Sequence, residues 1–161
     1  MTRISDVMTR GVRTLSPGDT LTLAAQAMQE LDVGVIPVCN GRELIGMVTD
    51  RDIVLRGVAQ GCRPEDTRLD QVMSAHPRWC FEDQSLEDAA RQMSEAQIRR
   101  LPVVDREKHL VGIVSLGDIA VRGDENEAGS ALGSISEPAR PDRSSQSQAS
   151  GTAGGGESLQ R

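Results

Sequence analysis

Aromatic side chains are almost missing from this sequence of 161 residues: Trp79 and Phe81 are the only two, and there is no tyrosine. A core without them must be built from Val, Ile, Leu, Met and Ala in close-fitting layers, and few platforms remain for stacking single-stranded bases. An excess of positive charge is missing too. Against 18 Lys and Arg stand 24 Asp and Glu, a net charge of −6, the wrong sign for displacing counterions from a phosphate backbone. No nucleic-acid partner is expected. The cysteines, Cys39, Cys62 and Cys80, are odd in number and form no CxxC pair, and His76 and His109 lie far apart. Metal-ligand spacing is therefore absent, and the thiols read as small hydrophobes of a reducing compartment. No apolar run approaches the ~18 residues of a membrane span, and the opening MTRISDVMTRGVRTLS holds no stretch long enough for a signal peptide. The expectation is a cytoplasmic protein without a membrane partner. Residues 1–123 contain no GxGxxG, no Walker loop and no Cys-His or Ser-His-Asp constellation, so no enzyme is expected.

What is present divides the chain. From Asp124 to Arg161 the sequence is rich in Ser, Gly, Pro, Ala and Gln, with only Leu132, Ile135 and Leu159 as large aliphatics. Such a segment buries too little surface to offset its ordering entropy, and residues 124–161 read as a disordered tail.

The body repeats itself. At an offset of 65 residues Val7-Met8 falls on Val72-Met73, and Leu21, Ala24, Ala25 and Met28 fall on Leu86, Ala89, Ala90 and Met93. Pro37-Val38 falls on Pro102-Val103. One extra residue in the second copy then brings Leu44, Gly46, Val48, Asp52, Ile53, Arg56 and Gly57 onto Leu110, Gly112, Val114, Asp118, Ile119, Arg122 and Gly123. About one aligned pair in three is identical, a duplication that implies two similar structural units. Their expected bounds are 1–61 and 69–123, joined by a polar linker at 62–68.

Each unit reads β-α-β-β-α. A turn (Ile4 to Thr9; Leu69 to Ser74) leads to a first strand, Val12–Leu15 or Arg78–Phe81. A helix follows, with Leu21, Ala24, Ala25, Met28 and Leu31 on one face, and Leu86, Ala89, Ala90, Met93 and Ala96 on the other copy's. Thr20 and Ser85 stand at the N-cap positions, and Asp88 three beyond Ser85 resembles a capping box. Two aliphatic runs, Val35–Cys39 and Leu44–Val48, flank Asn40-Gly41 and predict a hairpin; Leu101–Val104 and Leu110–Val114 are the counterparts. Second helices are expected at Arg51–Ala59 and Gly117–Arg122. A single such unit has a marginal core, so the two should bury their sheets against each other, an α+β fold.

Pro37-Val38 with Gly46-Met47-Val48-Thr49-Asp50-Arg51-Asp52, and Pro102-Val103 with Gly112-Ile113-Val114-Ser115-Leu116-Gly117-Asp118, resemble the two halves of a cystathionine-β-synthase (CBS) domain pair, or Bateman module. The first repeat and the Val58–Pro64 stretch are similar to small stand-alone bacterial CBS pairs of the hypoxic-response type. The resemblance covers residues 1–123. It implies a regulatory module, a cleft between the units with two pseudosymmetric sites, a homodimer of pairs, and an effector protein of unspecified identity. The implied ligand is adenine-containing: AMP, ADP, ATP or S-adenosylmethionine, with no cofactor required.

The motif's chemistry can be argued from its residues. A hydroxyl followed three positions later by Asp, where a strand runs into a helix, sets both side chains at one cleft edge. The carboxylate can accept from ribose hydroxyls, and the helix start offers amides to phosphate. The plainer alternative is that Thr49 and Ser115 simply cap their helices. The resemblance also implies that basic residues before the second Leu-Pro-Val strand, here Arg99 and Arg100, reach phosphate at the first unit's aspartate. The expectation is therefore a phosphorylated nucleotide at Thr49/Asp52, aided by Arg51, and a weaker or nucleoside-like site at Ser115/Asp118. Trp79 could stack on a base, fill an empty site or serve as core. The competing reading of the whole chain is a ligand-free adaptor dimer acting through protein contacts.

Overall fold

The computed structural model describes residues 2–122 and 125–136. Both hairpins form where Pro-Val and the glycine-bearing runs predicted them: β1 (Val35–Asn40) pairs antiparallel with β2 (Glu43–Thr49), and β5 (Arg100–Val104) with β6 (Leu110–Ser115). Register is matched across the repeat, Val35 opposite Thr49 and Arg100 opposite Ser115. The first strand of each unit is shorter than expected. In the second it is β4 (Cys80–Phe81), parallel to β5; in the first it shrinks to a single parallel bridge between Leu15 and Val38.

Helix α2 (Leu21–Leu31) begins at Thr20, whose Oγ1 accepts from Leu23 N at 3.2 Å. Helix α4 (Leu86–Ala96) begins with a reciprocal box: Ser85 Oγ accepts from Asp88 N (3.2 Å) and Asp88 Oδ2 from Ser85 N (3.4 Å). The buried face of α4 is the predicted one, Leu86, Ala89, Ala90 and Met93. That of α2 is Leu21, Ala24, Ala27 and Met28. Ala25 and Leu31 are exposed, because the stripe that meets the sheet rotates toward Ala27 and leaves Leu31 at the mouth of the cleft.

After β2 the chain turns through α3 (Asp50–Asp52) into a π-helical turn at Ile53–Gly57 and a 3-10 turn at Val58–Gln60. After β6 comes α5 (Leu116–Arg122).

The two cores do not divide the chain at its linker. The short helix α1 (Ile4–Val7) sends Ile4, Val7 and Met8 into the core of the second unit, with Cys80, Met93, Leu101, Val114 and Ile119. In exchange Leu69 and Val72 enter the first, with Leu21, Met28, Val38 and Val48. The exchange continues into the sheets. Strand β3 (Ser74–Ala75) pairs with β2 of the first unit, and Thr9 bridges to Ile113 of the second. Backbone passes so close there that only glycine fits: a Cβ on Gly112 would stand 2.6 Å from Thr9 O.

The sheets meet through a third cluster, Cys39, Leu44 and Val104, joined by Met47, Trp79, Phe81 and Leu110. Trp79 packs here, edge-on to Phe81 with centroids 4.9 Å apart, as in the core reading of this residue. Hydrogen bonds between the hairpin turns, Leu110 N to Arg42 O (3.0 Å) and Leu44 N to Lys108 O (3.3 Å), tie the same seam.

The expectation of disorder from Asp124 onward fails for its first part. Glu125–Ile135 form α6, in which Ala128 and Ala131 are buried in the second core, with Ile135 packed against it. Ala128, Ala131, Leu132 and Ile135 recur at helical spacing, and small alanines let the helix approach α4 and α5 closely. The remainder of the predicted tail, 137–161, lies outside the described residues. Among the described residues no helix is long and apolar enough to cross a membrane.

Candidate ligand site between the two units

Each T/S-x-x-D motif sits where its unit's last strand becomes a helix, and each forms a closed capping box. Thr49 Oγ1 accepts from Asp52 N and Asp52 Oδ2 from Thr49 N, both at 3.0 Å. Ser115 Oγ accepts from Asp118 N (3.0 Å) and Asp118 Oδ2 from Ser115 N (2.8 Å). The capping role is therefore realised in both copies. It uses one carboxylate oxygen and leaves the other for further work.

That other oxygen has a different fate in each unit. Asp52 Oδ1 lies 3.9 Å from Arg56 Nε, and Arg56 Nη1 donates to Val72 O (3.3 Å) and Met73 O (3.4 Å). The first aspartate thus already has a counter-charge, itself anchored to the exchanged segment. Asp118 Oδ1 has no partner among the described residues.

Asp118 instead faces a cavity of about 410 Å3 between the units. Ser115, Ile113 and Arg100 line it from the second unit; Val35, Ile36, Leu31 and Val33 form its apolar side from the first. The exchanged segment Thr9–Arg13 closes it and contributes Arg10 and Arg13, the latter 3.4 Å from Glu30. Three arginines against one carboxylate make this an anion-favouring space. A smaller cavity of about 210 Å3 adjoins it at Gly11 and Val12. A further one, about 470 Å3, is lined by Arg99 and Arg100 together with Ser115, Leu116 and residues of α5 and α6.

The predicted residues are thus regrouped. Arg100, Ser115 and Asp118 come together, because Arg100 is the cross-strand partner of Ser115. Arg99 joins Arg100 and Ser115 in the adjoining space. Thr49, Arg51 and Asp52 line none of these cavities; Arg51 is exposed, with its N–H bonded to Asp50 Oδ1 at 2.8 Å. Arg100 shares its cavity with the second aspartate, Asp118, rather than with Asp52. Sequence reasoning missed Arg10, Arg13, Leu31 and Val33, which carry no motif. Only the exchange of the Thr9–Arg13 segment brings its arginines to Asp118.

Chemically, such a space can hold a flat apolar group against Leu31, Val33, Val35 and Ile36, accept hydroxyl protons at Asp118 and pair an anion with arginine.

Comparison with known proteins agrees with the repeat. The CBS domain family matches residues 4–58 and 69–123. CBS domain-containing protein YhcV of Bacillus subtilis is 50% identical over 137 residues, covering 84% of this chain and 96% of that protein. Hypoxic response protein 1 of Mycobacterium tuberculosis is 40% identical over 121 residues, 74% of this chain and 84% of that one. The crystal structure of Hypoxic Response Protein I with two coordinated zinc ions superposes with a TM-score of 0.71 at 37% identity, covering 76% of this chain and 100% of that chain. Among the described residues here no three His, Cys, Asp or Glu side chains gather in a metal-binding group. The structure of CBSX2 in complex with AMP superposes with a TM-score of 0.66 at 27% identity, covering 75% and 95%. The duplicated sequence, the paired sheets and these matches together make the chain a member of the CBS domain family, carrying two CBS domains as one pair.

Proposed function

We propose that this chain is a non-catalytic regulatory module that binds an adenine nucleotide, or a related adenosyl ligand such as S-adenosylmethionine, in the cleft between its CBS domains. The observation that carries this reading is the cavity lined by Asp118, an apolar wall and three arginines from both units. Its volume falls in the ordinary range for small-molecule sites, roughly 300–1,000 Å3. The AMP complex of CBSX2 supports the ligand class.

The geometry favours Ser115/Asp118 as the principal site, with Arg10, Arg13 and Arg100 for the anionic part. Thr49, Arg51 and Asp52 would form the lesser site, the reverse of the order that the family resemblance implies. Because the cavity's walls come from both units, an occupant couples their relative placement, and its binding energy is available to bias conformation or assembly. Val54, Leu55 and Val58 are exposed along the π and 3-10 turns, and this apolar face supports a homodimer of pairs. A cytoplasmic location fits three unpaired cysteines.

A thermal-shift series with adenosine, AMP, ADP, ATP and S-adenosylmethionine tests the reading. Ligand at 100 times its Kd adds ~2.7 kcal/mol and must raise Tm. Asp118→Asn, which keeps an oxygen for the capping box, should remove most of that rise; Asp52→Asn should leave most of it. If no adenine compound raises Tm, the chain is instead a ligand-free adaptor dimer working through the Val54–Val58 face.

A further inference from the structure

Arg56 and Arg122 stand at matching positions of the two repeats, each four residues after its motif aspartate. That spacing suits an ion pair on a helix, so by sequence the two arginines have one role. The fold separates them. In the first unit the backbone beyond Asp52 widens into the π turn Ile53–Gly57, where Val58 N–H reaches back to Ile53 O. The turn is fixed on the core: Ile53 is buried, and a Cβ on Gly57 would stand 2.6 Å from Leu21 Cδ1 on α2. From there one guanidinium meets three groups. Arg56 Nε lies 3.9 Å from Asp52 Oδ1, and Nη1 donates to Val72 O (3.3 Å) and Met73 O (3.4 Å). Val72 and Met73 belong to the exchanged segment and lead directly into β3. In the second unit Leu116–Arg122 is a regular α-helix and Arg122 is exposed. Among the described residues it bonds neither to Asp118 nor to Val7 and Met8, the counterparts of Val72 and Met73.

We propose that Arg56 is a latch on the first T/S-x-x-D motif: it masks Asp52 Oδ1 from a ligand and holds the exchanged segment with the same guanidinium. The proposal rests on the ligand reading above and gives a reason for the lesser rank of the first motif. Asp52 Oδ2 is committed to Thr49 N–H, so a ligand's hydroxyls need Oδ1. The contact at Oδ1 can open. It is long, the arginine side chain is 56% exposed, and ion pairs of that kind contribute little. Nε and Nη1 belong to one rigid plane, so a movement that frees Asp52 also disturbs both carbonyl bonds. The π turn gives Arg56 this reach, and such turns are frequent at functional sites. Occupation of the first motif would thereby loosen the segment that joins the units. Occupation of Asp118 would not, because Arg122 holds no such segment.

Amide hydrogen exchange of the full chain, read by mass spectrometry, tests the latch without any ligand. Arg56→Met keeps an apolar stem and removes the charge and the donors. Peptides over residues 70–76 should then exchange about fivefold faster, the scale of one intramolecular hydrogen bond, while those of β1 and α2 stay unchanged. Arg122→Met is the control and should alter neither 70–76 nor 5–12. Calorimetric titration with adenosine tests the masking. The parent chain should take up one equivalent, which Asp118→Asn removes. Arg56→Met should take up a second, which Asp52→Asn added to it removes; an arginine that only braced the fold would give no such gain. Exchange at 70–76 equal to the parent's, or a rise spread over the whole first unit, overturns the latch. Faster local exchange without a second equivalent refutes the masking and leaves the cleft reading intact. If the Asp118-dependent equivalent is missing from the parent, the cleft reading fails, and exchange at 70–76 with Asp52-dependent uptake still decides the latch.

Discussion

Thr9 and Ile113 exchange both backbone hydrogen bonds: Thr9 N–H donates to Ile113 O at 2.8 Å, and Ile113 N–H donates to Thr9 O at 3.0 Å. The first unit's entry segment is thereby stitched to the second unit's last strand, next to the residues that line the cleft. Ser74 and Met47 are paired at the equivalent place in the other half.

This stitch depends on Gly112. A Cβ there would lie 2.6 Å from Thr9 O and 2.9 Å from Met8 Sδ, whereas at Gly46 the nearest atom is the flexible Met73 sulfur at 2.7 Å, with Ser74 O at 3.0 Å. Gly112→Ala should therefore cost about 1–3 kcal/mol, the usual range for overpacking, and Gly46→Ala less. Urea unfolding of both variants measures the difference; equal stability would mean the segment moves aside freely. Displacing Thr9–Arg13 should also weaken any ligand held in the cleft.

The α4 capping box makes a pH-dependent contribution. Partial burial works to raise the Asp88 carboxyl, but hydrogen bonds from the Ser85 backbone and hydroxyl and the neighbouring Arg91 outweigh it, holding the group below the ordinary carboxylate range. A carboxyl depressed in the folded state stabilises above its unfolded pKa, ~3.9, and loses that contribution as pH falls through the lower folded value. Ser85→Ala should cost about 1 kcal/mol at pH 7, as for other N-caps. It should also flatten the loss of stability below about pH 4. Urea midpoints at pH 7 and pH 3 test both; an unchanged acid limb would remove Asp88 from the explanation.

The three thiols should differ sharply in reactivity. Burial, with the nearby charge of Asp88 as the lesser cause, pushes Cys80 up to about 12, and burial also raises Cys39. Cys62 is half-buried, with its sulfur 4.0 Å from Arg56 O. Alkylation proceeds through the thiolate, so native protein at pH 8 should take one label, at Cys62, and urea-unfolded protein three. Peptide mass mapping reads this directly. Early labelling of Cys80 would show that the second core opens more readily than its packing suggests.

Local pattern was a good guide where a short stretch carries its own period. The Val35 and Leu101 hairpins, the buried face of α4 and the caps at Thr20 and Ser85 follow from residues within one or two turns of each other. Prediction weakened where the burying partner is remote. Ala25 and Ala27 on α2 are equally apolar, and only the sheet beneath chooses Ala27. Helix α6 hides in a Ser- and Gly-rich stretch because Ala128 and Ala131 carry little hydrophobicity until α4 and α5 cover them. Four-residue α1 has no period to read, so the exchange of Ile4 and Leu69 between cores was invisible.

The order of residues alone established two homologous units, their strands and helices, and paired hydroxyl and carboxylate groups at matching positions, because each depends on neighbours a few residues apart. By their own residues the two T/S-x-x-D motifs look alike, and only the family resemblance ranked Thr49/Asp52 above Ser115/Asp118. Which aspartate faces an open cavity, and that Arg10, Arg13 and Arg100 line the same cavity as Asp118 rather than one with Asp52, emerged from the folded chain. Arg10 and Arg13 stand about a hundred positions before Asp118 in the chain and reach the same cavity through an exchanged segment, and no local periodicity encodes contacts of that range.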